Sequence, residues 1–566
     1  MSETPWRGSY PDWVPHEIDM TPYDSLWHMV AQAVDNYADR HAVGNFGTYL
    51  TFNELDQLSR QLGAYLQHEA GIKKGDRVAL MMPNMLQYPV AILAVLRIGG
   101  IIVNTNPMYT PRELRHQLTD SGARAIIAFD GISHTVAEVL ADTELETVIT
   151  TRIGDLLGAH KKLLFNMISR LKRGSASAAR LHEPVRFETA LSQGASRIID
   201  EPEMSLDDVV CLQYTGGTTG VSKGVMLTHG NLVANILQNQ LWWGNFTVQS
   251  GDALITALPL YHIYSLSCNL FNFLHQGGVT YLITDPRNIT QMIKEMARHP
   301  FVGMTGVNTL YKNLILNPAF EKLDFSRLHY GSAGGMAVQT RVAERWTEIT
   351  GTMLVEGYGL TECSPVATCN PANMSKYVGS CGLPYSSTHC SIRDENRKPL
   401  PVGEVGELCI KGPQVMAGYW QRPEATAEVL TEDGWLHTGD IGRMDEDGFF
   451  YIVDRKKDMI VVSGFNVYPN EIEDVIASMD GVREVAVIGV DDEQTSEAVK
   501  AVIVLQDETL TEEMITAHCR KDLTRYKCPR HIQFVDELPK SEVGKILRRK
   551  VRDQFGSTAS TEAVSA

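Results

Sequence analysis

The amino-acid sequence predicts an α/β fold in two unequal parts, a large N-terminal α/β region of several subdomains followed by a small α+β domain. Three observations carry that expectation. At 566 residues the chain exceeds what one hydrophobic core usually serves. Over the N-terminal part, apolar runs of strand length alternate with amphipathic segments of helix length, the rhythm of mostly parallel sheets covered on both faces. Beyond Pro401 the pattern changes to short strands closed by turn signals.

In chain order, Phe52 to Ala70 reads as an amphipathic helix, Arg77 to Met82 as a strand, Tyr88 to Ile98 as a helix, and Ile101 to Asn104 and Ala125 to Phe129 as short strands. Val209 to Leu212 is an apolar run that predicts a buried strand. The same rhythm returns in Ala253 to Leu258, Val279 to Ile283, Phe301 to Thr305 and Leu328 to Ser332, so the large part is built of more than one sheet.

His160 to Arg173 differs in character. Leu163, Leu164, Met167, Ile168 and Leu171 recur at helical spacing among Lys161, Lys162, Arg170, Lys172 and Arg173, with no acid between them. Such a helix either rests on an anionic membrane surface or packs its apolar stripe on the core, as surface helices ordinarily do. Gly174 to Arg180, rich in Ser and Ala, reads as a linker. Further on, Asp447-Gly448 between two apolar runs signals a hairpin. After Tyr468-Pro469 a helix (Glu471 to Met479), two strands (Glu484 to Gly489 and Ala501 to Leu505) and a helix (Thr511 to Leu523) make the small module. The expected division is a large domain over 1–454, a small domain over 455–555 and a disordered tail over 556–566.

A net charge of -17 repels nucleic acid, so any anionic partner must be met by a local basic site. The nine cysteines form no Cys-x-x-Cys pair and no spacing suited to zinc, which leaves isolated reduced thiols as the simplest reading. No basic-then-apolar leader opens the sequence, and the apolar run Val90 to Val103 contains Arg97 and is too short to span a bilayer. A cytoplasmic location is expected.

The stretch from Tyr214 to His229 reads YTGGTTGVSKGVMLTH. Gly216, Gly217, Gly220 and Gly224 are interleaved with Thr215, Thr218, Thr219, Ser222 and Lys223. Glycines permit close backbone approach, so consecutive N–H groups can converge on an anion while hydroxyls and one ammonium complete the shell. A phosphate cradle is the expectation, and a flexible surface turn is the alternative that composition leaves open. The common P-loop pattern is not met: it places a Gly before the Lys and a hydroxyl after it, whereas Lys223 lies between Ser222 and Gly224.

Further motifs stand in order along the chain: LPLYH ending at His262, GSAGG from Gly331, YGLTE from Tyr358 to Glu362, HTGD ending at Asp440, DRKKDMIVVSGFNVYPNEIE from Asp454, and PKSEVGKILRR containing Lys545. With YTGGTTGVSKG, these make the sequence resemble the adenylate-forming (acyl-CoA synthetase) superfamily, and within it the bacterial long-chain fatty acid:CoA ligases. The resemblance runs through most of the chain. It implies two half-reactions: a fatty carboxylate attacks the α-phosphate of ATP to give acyl-AMP and pyrophosphate, then the thiol of coenzyme A attacks the acyl carbon and expels AMP.

The resemblance also assigns roles. The residues from Tyr214 to Gly220 (Thr215, Gly216, Gly217, Thr218, Thr219), together with Lys223, would hold the β- and γ-phosphates. Thr215 and Glu362 would hold Mg2+ through the hard oxygens that ion prefers. Tyr358 would stack on adenine, with Ala333, Gly334 and Gly335 letting the backbone approach the ring, and Gly359 and Thr361 continuing the same nucleotide motif. Asp440 would accept the ribose hydroxyls and Arg455 would reach ribose or phosphate. A Tyr between glycines is often a packing residue, and exposed acids and arginines are ordinary, so these positions keep their bland alternatives.

His262 would face the acyl carboxylate, with a satisfied core histidine as its alternative. Lys545, which an isolated reading assigns to solvent, would bridge the substrate carboxylate and the α-phosphate. Lys545, Glu362, His262 and Lys223 are therefore the candidate catalytic residues. Lys457 matches a hinge about which the small, mobile domain rotates between half-reactions, and Gly464 matches a glycine beside the pantetheine of coenzyme A.

In acetate-using relatives a Trp corresponds to Gly359 and closes the acyl pocket; its absence admits a longer tail. Some long-chain members carry a gating Trp four residues after the histidine, where this chain has Leu266. Medium- to long-chain acids, ATP and coenzyme A are the expected partners, with a monomer or homodimer as the assembly. The alternatives are an adenylating ligase that uses an aryl acid or a carrier-protein thiol, and a silent nucleotide- or lipid-binding protein, against which the joint presence of Lys545, Glu362 and Asp440 argues.

Overall fold

The computed structural model describes residues 4–556, apart from 173–180, 182–183, 216–221, 245, 247, 375, 464, 493–494, 508 and 542–543, with backbone alone at 166–172. Among the described residues the strands form four sheets. The first runs in the order Gly418–Tyr419, Lys223–Thr228, Val209–Thr215, Ile101–Asn104, Arg77–Met81, Ala125–Phe129, Thr147–Thr151, Val185–Arg186. It is parallel from Val209–Thr215 onward and antiparallel at the two pairings before it. The second has a parallel centre of Leu354–Gly359, Tyr330–Ala333, Phe301–Gly306, Ala253–Thr256, Val279–Leu282 and His41–Asn45.

Local chemistry sets the elements of this layer. The helix Phe52–His68 starts at a capping box, in which Thr51 accepts from the Glu54 N–H and Glu54 accepts from the Thr51 N–H, and it packs on Gln87–Arg97. Every residue of Gln87–Arg97 is buried, which explains its nearly continuous apolar sequence. The buried Arg97 is tolerated because Asp56 at 2.6 Å and Glu201 at 3.2 Å pair with it and the Trp27 ring lies 4.4 Å away.

A third, antiparallel sheet joins His389–Arg393, Gly406–Lys411, Leu436–Met444 and Phe450–Arg455. Its last hairpin turns at 445–449, where Gly448 takes φ +85 and donates to the Asp445 carbonyl. The chain then enters the small domain. There Phe465–Val467, Ile460–Val462, Ser496–Leu505 and Val482–Asp492 pair in that order, and His531–Phe534 adds in parallel to Ser496–Leu505. The helices Pro469–Ala477, Glu512–Asp522 and Arg548–Phe555 belong to it. Its long strand pair extends beyond the predicted apolar runs because the paired backbones continue into a polar hairpin. Thr511 caps its helix from outside, accepting from the Met514 N–H, rather than opening it.

The basic segment is helical over Ala159–Lys172. Lys161 donates to the carbonyls of Phe46 and Gly47 and to the Thr48 hydroxyl, Lys162 pairs with Glu188, and Phe165 lies 4.9 Å from the Phe46 ring. Leu163 and Leu164, however, are 74% and 49% exposed. The linker expected over Gly174 to Arg180 and the tail expected over 556–566 lie outside the described residues, save Gly556. Eight of the nine cysteines are buried, all as free thiols. Among the described residues no helix is long and apolar enough to cross a membrane.

Candidate active site

Val209–Thr215 and Lys223–Thr228 are antiparallel neighbours, so Thr215 and Lys223 face each other across the mouth of the glycine loop. Gly216, Gly217, Thr218, Thr219 and Gly220 lie outside the described residues. The base of the loop is fastened from several sides. The Tyr214 hydroxyl donates to Asp120 at 2.7 Å, Arg422 donates to the other Asp120 oxygen at 2.5 Å, and His116 Nε2 lies 2.8 Å from the Ser222 carbonyl. Tyr214 is thus an anchor of the loop. A Cβ at Gly224 would lie 3.1 Å from its ring, so the glycine makes room for that anchor.

Glu362 sits in the tight turn Thr361–Cys363. Burial pushes its carboxyl above the usual range, and a hydrogen bond from the Tyr419 hydroxyl at 2.8 Å to Oε1 opposes that rise. The Lys223 ammonium lies 4.8 Å from the centre of the same Tyr419 ring. A hydroxyl from Thr215 and a carboxylate from Glu362 are a donor set that fits a small hard cation such as Mg2+.

In a second cluster, Tyr358 donates to Asp440 Oδ2 at 2.6 Å. Asp440 and Arg455 are cross-strand partners, with Arg455 Nε 3.4 Å from Oδ1, and the Lys456 N–H donates to the Gly439 carbonyl. Ala333 is buried at the end of its strand, a Cβ at Gly334 would lie 3.3 Å from the Gly357 carbonyl, and Gly335 takes φ +79. The backbone thus leaves little room for a side chain at Gly334, and its left-handed turn at Gly335 favours glycine. Room is tighter still at Gly359, where a Cβ would lie 1.8 Å from the Pro365 carbonyl, so no side chain fits without moving the backbone. Beside Glu362 and Tyr419, a cavity of about 340 Å3 is also lined by Glu407, His437, Thr438 and Lys456.

Lys545 arrives from the small domain. Its neighbour Gly544 accepts from Thr309 of the large domain, and its backbone N–H donates to Ser541 Oγ at 3.1 Å. Partial burial pushes the ammonium down to about 7, Arg455 adds to the fall, and Asp440 opposes it. His262 is pushed down to about 4 by burial and by the charge of Lys545, so a neutral imidazole stands near the lysine. His262 precedes the turn Ile263–Ser265 and a π-helical stretch, Leu266–Phe271, whose first residue is fully buried. Lys457 lies between the strands Phe450–Arg455 and Ile460–Val462, which belong to different sheets. Gly464 lies outside the described residues.

Two residues of this neighbourhood, Asp120 and Tyr419, carry no motif of their own, and a third, Arg548, lies unmarked inside the Lys545 motif. Asp120 and Tyr419 read as an ordinary surface acid and a core aromatic, and only the folded contacts distinguish them. Arg548 bonds Asp454 at 2.9 Å and Glu473 at 3.0 and 2.6 Å, tying the segment after Lys545 to the residue before Arg455. Its position three residues after Lys545 was the available signal.

The family described as AMP-binding enzyme matches residues 30–420, and the family described as AMP-binding enzyme C-terminal domain matches residues 471–545. A long-chain-fatty-acid–CoA ligase of Salmonella typhimurium is 51% identical over 549 residues, 97% of this chain and 98% of that protein. A feruloyl-CoA synthase of an Amycolatopsis species is 36% identical over 519 residues, 91% of this chain and 96% of its own. Among solved structures, ATP-bound MatB from Rhodopseudomonas palustris is similar with a TM-score of 0.80 at 28% identity, covering 94% of this chain and 99% of its own. Since the matches span both domains, and the two domains meet around Lys545, the chain belongs to the family of AMP-binding enzymes.

Proposed function

We propose that the chain uses ATP to ligate a medium- to long-chain fatty acid to coenzyme A, through an acyl-adenylate and with release of AMP and pyrophosphate. The observation that supports this most is the meeting of Lys545 with His262, Asp440 and Arg455 at the domain junction. In the first half-reaction a carboxylate oxygen attacks the α-phosphorus, the bond to the β-phosphate oxygen breaks, and pyrophosphate leaves with that electron pair. Carboxylate and triphosphate repel each other, so positive charge is needed both at the reacting phosphate and at the leaving group.

Lys545 suits the first position and Lys223 the second. With its pKa lowered to about 7, the Lys545 amine takes up a proton when a polyanion arrives, and its full charge appears with the substrate. Tyr358 offers its ring to adenine, while its hydroxyl turns Asp440 toward the ribose hydroxyls. Thr215 and Glu362 would hold Mg2+, which when bound neutralises phosphate charge. In the second half-reaction the thiol sulfur attacks the acyl carbon, the carbon–oxygen bond to AMP breaks, and AMP leaves. Rotation of the small domain about Lys457 would first withdraw Lys545 and bring Gly464 beside the pantetheine.

The 51% identity to a long-chain-fatty-acid–CoA ligase favours a fatty acid over an aryl acid, for which the related protein is 36% identical. Each buried methylene contributes about 0.8 kcal/mol, so affinity should climb with chain length until the acyl tunnel is full. ATP–pyrophosphate exchange with acids from octanoate to oleate, and then AMP release with coenzyme A added, tests the reading. Exchange with aryl acids alone overturns the substrate class, and silence with every acid overturns the enzyme.

A second reading concerns location. The exposed Leu163 and Leu164 on a basic helix favour peripheral contact with an anionic membrane from the cytoplasmic side, although Lys161 and Lys162 already have partners within the protein. Cosedimentation with anionic vesicles should fall for Leu163→Gln/Leu164→Gln, and unchanged binding removes the reading.

A further inference from the structure

Between the phosphate loop and the Glu362 turn runs a short segment that belongs to neither motif. Gly418–Tyr419 pairs antiparallel with Val225 and Met226, immediately after Lys223. The Trp420 N–H donates to the Gly224 carbonyl at 2.8 Å, the Ala417 N–H to Met226 at 3.1 Å, and the Met416 N–H to the Glu362 carbonyl at 2.9 Å. Main-chain bonds thus stitch this segment to both sides. The Tyr419 N–H donates to Thr426 Oγ1 at 2.9 Å, and the phenol is buried. Its position is set before any substrate arrives.

That one side chain touches two opposite charges by two different means. Its ring face carries the Lys223 ammonium at 4.8 Å, and its hydroxyl donates to Glu362 Oε1 at 2.8 Å. In a cleft partly withdrawn from water, an ammonium and a carboxylate attract each other strongly. A direct Lys223–Glu362 pair would cancel both charges, one needed for a phosphate and the other for its cation. The ring stands between those two outcomes.

We propose that Tyr419 is a positioning residue for adenylation, which keeps the Lys223 ammonium and the Glu362 carboxylate apart and aimed in the ATP-free enzyme, so that a magnesium–nucleotide meets both charges uncancelled. This rests on the reading that Lys223 and Glu362 serve the triphosphate and its cation. The hydroxyl and the ring have separable duties: the hydroxyl orients the carboxylate, and the ring excludes the ion pair.

The test uses the full-length enzyme with Tyr419→Phe, which keeps the ring, and Tyr419→Leu, which removes both groups. Fatty-acid-dependent ATP–pyrophosphate exchange is titrated with Mg2+, and transfer to coenzyme A is measured separately from supplied acyl-adenylate. Tyr419→Phe should raise the half-saturating Mg2+ concentration about tenfold, the weight of one hydrogen bond to a charged group, with kcat recovered at high Mg2+ and transfer unchanged. Tyr419→Leu should lower exchange kcat about a hundredfold in a way that Mg2+ does not restore. A Tyr419→Phe enzyme with the wild-type Mg2+ titration, or equal losses in exchange and transfer, overturns the proposal. If the wild-type enzyme itself shows no exchange, the proposed function fails and this inference falls with it, whereas wild-type exchange with an unmoved Tyr419→Phe titration removes the Tyr419 inference alone.

Discussion

The acidic groups of the large domain and the lysine delivered by the small one are held in opposite ways. Asp440 and Glu362 each receive a hydrogen bond from a tyrosine hydroxyl, at 2.6 and 2.8 Å, and both tyrosines are fixed by strands. Among the described residues the Lys545 ammonium has no ion pair, and burial first, then the charges of Arg455, Arg548 and Lys457, lower it against the opposing pull of Asp440. The lesson is one of electrostatic economy. Under the proposed rotation of the small domain, fixed groups can be gripped by neighbours without cost to turnover, whereas a group that leaves and returns is better held by its substrate than by a protein partner.

The sharpest way to break this contrast is Lys545→Ala. Acyl-adenylate formation should fall by about a thousandfold, the scale of removing charge stabilisation from a transition state, while transfer from supplied acyl-adenylate to coenzyme A stays intact. Equal loss in both steps would dissolve the distinction between the two regions. Next comes protonation. Because the ammonium is lowered to about 7 in the empty site, binding of magnesium–ATP at about pH 8 should take up about one proton, and at about pH 6, where the lysine is already charged, uptake should vanish. Calorimetry in buffers of different ionisation enthalpy reads this, and Lys545→Ala should abolish it.

A smaller effect probes the gripped side. Tyr358→Phe keeps the ring and removes the bond to Asp440, so KM for ATP should rise about tenfold with little change in kcat. A fall in kcat alone would place the hydroxyl in the chemistry instead. The smallest effect lies outside the site: Thr51→Ala removes one helix cap and should cost about 1 kcal/mol of stability, read from the urea midpoint, with both half-reactions unchanged. Altered half-reactions would show that the site answers to distant packing as well as to its own bonds.

Much of the architecture is legible because it is local. The helices Phe52–His68 and Gln87–Arg97 and the central strands follow from hydrophobic period, and their observed ends lie within a few residues of those predicted. The basic helix was legible as a helix, but its partners were not: Lys161 reaches back to the hairpin tip at Phe46 and Gly47, a contact no periodicity encodes. At Gly359 the motif marks the glycine, and the approach of the Pro365 carbonyl supplies a reason that lies in the backbone.

For the site, the sequence by itself determined the chemistry available: a glycine-rich loop with one lysine, the YGLTE and HTGD acids, and a late lysine in a glycine-containing turn. These depend on residue type and short spacing, which a linear chain displays directly. Only the tertiary structure decided which groups share a bond. Tyr358 and Asp440 are 82 residues apart and Tyr419 and Glu362 are 57 apart. Such pairs are set by sheet order and register, in which a shift of one residue turns a side chain to the opposite face. The lowered ammonium of Lys545 belongs to the same category, because burial and the sum of neighbouring charges exist only once two domains have closed around it.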